Sequence, residues 1–163
     1  MTDTTQAAAS APTISPDYSA YLAREAERDR LAAELLPANK AALFGALEAA
    51  GIVIVLVTFD GCGDSGQIES VEARDAHNND VALPADAIEI AKAPWEGTEP
   101  ERQRLPVHGA IEEMAYRFLE QTHGGWEDNE GAYGEFTFDV AARTITLEYN
   151  ERFIDTEYSE HEF

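Results

Sequence analysis

The sequence predicts an α+β domain in which a mostly antiparallel sheet of four or five strands carries helices on one face. Three observations predict it. Ile52–Phe59 (IVIVLVTF) is an unbroken apolar run of strand length. EFTFDV and TITLEYN, starting at Glu135 and Thr144, alternate apolar and polar residues with period two. Val107, Ile111, Met114, Phe118 and Leu119 fall at helical spacing on one face. The element order is then α-α-β-β-(β)-α-β-β.

Each element has a local warrant. Residues 1–14 are Thr, Ala, Ser, Gln and Pro with little to bury, and read as a disordered tail. Ser15-Pro16-Asp17 is a helix start: a capping hydroxyl, a proline in the first turn and an acid at the positive end of the dipole. A helix over 15–36 follows, with a thin apolar stripe that predicts a surface position. Pro37 breaks or restarts it, and a second helix covers about 38–50 with Leu43, Phe44 and Leu47 on one face. Gly51 suits its left-handed cap. The run from Ile52 is apolar on both alternating faces, which predicts a central strand covered on both sides. Gln67–Arg74 reads as its antiparallel neighbour after a long glycine-rich connection. His77–Asp80 is a turn, and Val81–Leu83 a short edge strand. Residues 84–105 carry three prolines and read as an irregular linker with one helical turn at 85–91. Gly124-Gly125 ends the third helix, and a short Ala141-Ala142 turn joins the last two strands. The α+β domain spans 37–155, and 156–163 is an acidic tail.

Composition narrows the function. The 163 residues hold 32 acids and 11 bases, a net charge of −21. A sequence-independent grip on nucleic acid or anionic lipid needs clustered Lys and Arg, and the bases here are scattered. Direct nucleic-acid and membrane partners are therefore not expected. No apolar run approaches the ~20 residues of a membrane span. The opening residues lack the basic and apolar regions of a signal peptide, so the expected location is cytoplasmic. One cysteine, Cys62, leaves no internal disulfide and no multi-cysteine zinc site. Its loop neighbours include acids and no base, which argues against a nucleophilic role.

Catalytic constellations are missing as well. No HExxH, GxSxG or GxGxxG occurs, so no catalytic and no cofactor-binding residue is assigned. Two loops stand out. The first, DGCGDSG at Asp60–Gly66, is followed by Glu69. Asp60, Asp64 and Glu69, joined by Glu127 from the second loop, could hold a hard cation such as Ca²⁺ or Mg²⁺ through oxygen ligands. The bland alternative is a glycine-built connection whose aspartates bond loop amides. The second loop, WEDNEGAYG from Trp126, offers Trp126, Asn129 and Tyr133 as a recognition surface; the bland alternative is that Trp126 caps the core and the loop acids sit in water. Beside it, Glu135, Asp139 and Glu148 lie on the polar side of the last two strands. Glu69 and Glu72 join them if their strand enters the same sheet. Such a row of carboxylates can take the place of nucleic-acid phosphates in a basic groove.

FDGCGDSGQIE (59–69) and GGWEDNEGAYGEFTFDVAARTITLEYNERF (124–153) resemble an uncharacterised bacterial family of domains of unknown function. The resemblance covers about residues 37–163. It singles out Asp60, Gly61, Asp64, Ser65, Gly66 and Glu69, with Trp126, Glu127, Asn129 and Gly131. It implies a setting on alphaproteobacterial mobile elements, and it supplies no catalytic residue. The expected function is a non-enzymatic acidic interaction protein, a mobile-element accessory factor engaging a basic or nucleic-acid-binding protein. The alternative is a divalent-metal-binding domain, hydrolytic if it acts at all. The oligomeric state is open at this level.

Overall fold

The computed structural model describes residues 12–163; the part of the expected tail before residue 12 lies outside the described residues. Helix α1 (Pro16–Ala49) starts where the sequence places it, with Ser15 Oγ accepting from the Tyr18 N–H at 3.3 Å. It does not end at Pro37. The two expected helices are one helix of 34 residues with the proline inside. Proline removes one backbone donor and crowds the preceding turn, but packing of the flanking segments can outweigh that local cost. Only the second half buries side chains: Asn39, Leu43, Phe44 and Leu47. Gly51, at φ +74°, follows the helix as predicted.

Strands β1 (Ile52–Cys62), β2 (Ser65–Asp75), β3 (Asp80–Val81), β6 (Ala132–Asp139) and β7 (Thr144–Glu151) form one antiparallel sheet in the order β3-β2-β1-β6-β7. The connection between β1 and β2 is not long. Cys62 pairs with Ser65 across a two-residue turn, and Gly63 and Asp64 both take positive φ, 60° and 64°. That is the mirror-image turn that suits the twist of a hairpin, and it accepts Gly and Asp readily. The glycines read as loop therefore lie largely within strand.

β1 is central, as predicted, but covered on one side only. Val55, Val57 and Phe59 are buried, while Ile54, Leu56 and Thr58 are half-exposed on the opposite face. A register shift between Ile52 and Ile54 turns Ile52 to the buried side, so it does not share a face with Ile54. A bulge is the standard way to change that parity.

Residues 84–105 are not a linker. β4 (Ala87–Lys92) and β5 (Glu101–Pro106) pair as a separate two-stranded sheet, in place of the expected helical turn. The alanines suggest helix locally, but tertiary contacts decide. Asn39 of α1 is buried; its Nδ2 donates to the Ala91 carbonyl at 2.7 Å, and its Oδ1 accepts from the Ala91 N–H at 2.9 Å. One side chain thus supplies both bonds of a missing neighbouring strand. β5 runs directly into α2 (Val107–Thr122), which buries Val107, Ala110, Ile111, Met114, Ala115 and Leu119.

The core lies between the inner sheet face and the two helices. Phe44 meets Phe138, and Phe118 meets Phe136, with ring centres 6.4 and 6.3 Å apart. Alternation makes one face of each strand apolar, and the helices cover that face.

Candidate functional site

The two loops singled out in the sequence meet. Gly63 N–H donates to the Asn129 carbonyl at 2.9 Å, and Asp64 N–H to the Glu127 carbonyl at 3.0 Å. Asp64 Oδ1 lies 3.4 Å from the Asn129 N–H. Trp126 explains the glycines. Its ring lies over Gly61 and Gly66, which pair across β1 and β2; a Cβ on either would sit 2.6 or 2.3 Å from the ring. The indole also meets Phe59 edge-on at 5.5 Å. Trp126 is only 7% exposed and packs into the core cluster, as the core-capping alternative has it. Gly131, at φ +74°, would drive a Cβ to 1.7 Å from the Gly61 carbonyl oxygen. Glycine is required there both by conformation and by space.

One end of the outer sheet face carries an ion pair. Arg152 spans both carboxylate oxygens of Asp60 at 3.0 Å and donates to the Gly61 carbonyl at 3.2 Å. Its guanidinium stacks 4.6 Å above the half-exposed Tyr133 ring. The Asp60 bond raises the Arg152 pKa above its ordinary value. The sequence reading missed Arg152, because a lone arginine 92 positions from its partner gives no local signal. It also missed Tyr116 of α2, whose hydroxyl accepts from the Ile68 N–H at 2.9 Å. That contact stands beside a second bulge, where Thr58 pairs with Ser70 and Phe59 with Ile68, leaving Glu69 as the extra residue.

The rest of the outer face is acidic. β2 does enter the sheet, so Glu72 shares this face with Glu135, Asp139 and Glu148, and Gln67 donates to Glu69 at its margin. Glu135 pairs directly opposite Glu148, with Thr58 as its other neighbour. Ile54 and Leu56 form a half-exposed apolar centre between them. The cations lie at the two ends: Arg152, and Arg74 between Glu72 and Asp80 at 3.6 and 3.5 Å. Asp139 has a structural task too, since its Oδ1 accepts from the Ala142 N–H at 3.0 Å in the β6–β7 turn.

A family model described as "Family of unknown function (DUF6878)" matches residues 35–163. The chain belongs to this family. Comparison with curated proteins and with solved structures finds no match. The DUF6878 match takes in both glycine-rich strings, the whole sheet and α2, and begins within α1, two residues before Pro37. The first half of α1 lies outside it.

Within the DUF6878 region, the carboxylates first considered as cation ligands have separate occupations. Asp60 is held by Arg152, and Asp64 faces the Asn129 amide. Glu69 bonds Gln67, and one Glu127 oxygen is sealed from solvent without a hydrogen-bond partner. Among the described residues, no three His, Cys, Asp or Glu side chains are placed to hold a metal ion. Nor, among them, is any helix long and apolar enough to cross a membrane.

Proposed function

We propose that this protein is a non-enzymatic interaction protein whose acidic sheet face engages a basic or nucleic-acid-binding protein. One observation carries the reading. Among the described residues no helix covers one face of the five-stranded sheet, and Glu72, Glu135, Asp139 and Glu148 stand on it around Ile54 and Leu56. Carboxylates on a rigid sheet, held apart at strand spacing of about 4.8 Å, make a fixed negative field. The apolar centre gives a bound partner something to desolvate, so binding does not depend on charge alone.

The test is capture of partners from a bacterial proteome, followed by titration of the purified partner. The expected partner is a basic nucleic-acid-binding protein that binds saturably at about 0.15 M salt. Nucleic acid should compete with the chain for it. The triple variant Glu135→Gln, Asp139→Asn, Glu148→Gln should weaken binding by about tenfold or more. Asn at 139 keeps the oxygen that serves the turn. A proteome that yields no saturable partner, or a triple variant that binds as well as the parent, refutes the reading.

A further inference from the structure

The two edges of the large sheet are finished differently. One edge is β3, two residues long and followed shortly by Pro84. Short strands and prolines are common ways to blunt an edge. The other is β7, Thr144–Glu151, which has eight residues, no proline, no lysine and no register shift against β6. Arg152 N–H points to the Gly131 carbonyl on the β6 side. Antiparallel alternation therefore turns the N–H and C=O groups of Ile145, Leu147, Tyr149 and Glu151 toward the open edge. Beside that edge, on the inner side, is a cleft of about 240 Å³ lined by Leu36, Lys40, Phe118, Ile145 and Leu147 among others. Ile145 and Leu147 are only half-buried there.

The β7 sequence is complementary to itself in one antiparallel register. Centring the pair on Leu147 sets Leu147 against the partner's Leu147 and Ile145 against the partner's Tyr149. All of these belong to the inner, apolar side and carry the outward-facing backbone groups. On the outer side, Thr146 meets the partner's Glu148, and Thr144 meets the partner's Asn150. Glu148 thus avoids facing its own copy, which would be unfavourable. At each end Arg143, already 3.2 Å from Glu48, comes beside the partner's Glu151.

We propose that two copies of this chain pair edge to edge through β7 in the register centred on Leu147. The result is a continuous ten-stranded sheet with two-fold symmetry. The pairing satisfies the open backbone groups, extends the half-covered apolar surface of Ile145 and Leu147 across the two copies, and joins the two acidic faces into one. It stands independently of the partner reading above, and its test contains no other protein.

The test is sedimentation velocity on the full chain from about 1 to 100 µM, at about 0.15 and 0.5 M salt to screen the repulsion between two acidic copies. It is paired with oxidation of single-cysteine variants in a Cys62→Ser background. Leu147→Cys should cross-link. Directly opposed hydrogen-bonded residues have Cα atoms about 5.5 Å apart, inside the disulfide range. Thr146→Cys should not, because its copy lies on the diagonal at about 7–8 Å. A chain that stays monomeric throughout overturns the proposal. So does a dimer that cross-links through 146 and not 147. Circular dichroism checks that the cysteine variants fold. Should Leu147→Cys fail that check, a charge exchange replaces it. Glu151→Arg should weaken the dimer about two- to fivefold, and adding Arg143→Glu should restore it. A dissociation constant unmoved by both overturns the register.

Discussion

Asn39 is the residue on which the placement of the small sheet turns. A buried amide bonds both backbone groups of Ala91, and nothing else of α1 is polar and buried. Asn39→Ala leaves a buried N–H and a buried C=O without partners. Each such group costs about 1–3 kcal/mol, so a loss of about 2–4 kcal/mol is expected in chemical denaturation. A variant as stable as the parent would show that water replaces the amide. Asp75 plays a similar part in the open. Its carboxylate accepts from the His77 and Asn79 N–H groups, both at 2.9 Å, and closes the turn after β2. The Asn79 backbone bond, foremost among these, lowers its pKa. A depressed folded-state pKa gives stability that is present above the ordinary carboxylate range and lost as pH falls through the folded value. The Tm difference between the parent and Asp75→Ala should therefore be largest near neutral pH and shrink as pH falls through and below the ordinary carboxylate range. A difference constant from pH 7 to pH 3 contradicts this. The glycines of the two strings could be seen in the sequence, but their reason could not. Gly61 and Gly66 are small because Trp126, 60 or more positions away, lies on them.

At the scale of elements, the start of α1 at Ser15, its end before Gly51, the alternation of β6 and β7 and the apolar stripe of α2 were legible, because each depends on neighbours within a turn or a strand. The errors share one cause. Pro37 reads as a break, yet α1 passes through it. The segment 84–105 reads as a linker, yet it forms β4 and β5. In both places long-range packing overrides local preference. The proline still has a cost. Pro37→Ala should raise helicity at 222 nm and increase stability by about 1–3 kcal/mol. An unchanged or lower Tm would show that the helix needs the bend or restriction that proline imposes.

For the whole molecule, charge and topology act together. A net charge of −21 works against compactness and favours solubility. The fold concentrates part of it on a sheet face where Glu135 opposes Glu148, an arrangement that gives up stability. This is why the triple neutralisation above must be read in two channels. The variant should melt no lower than the parent while binding its partner more weakly, which separates a lost interface from a lost fold. Edge pairing through β7 belongs to the same scale, since it decides whether that face is presented once or twice.

The sequence by itself determined the α+β class, the antiparallel pairing of the last two strands, the large apolar residues on the inner face of α2 and the acidic character of the chain. All of these follow from periodicity and composition, which are local or additive quantities. Tertiary structure alone decided that α1 is continuous, that residues 84–105 pair, that Trp126 seats on Gly61 and Gly66, and that Arg152 holds Asp60. It also decided which sheet face and which sheet edge are left uncovered among the described residues. Those outcomes depend on contacts between residues tens of positions apart, and their energies exist only once the chain has brought the partners together.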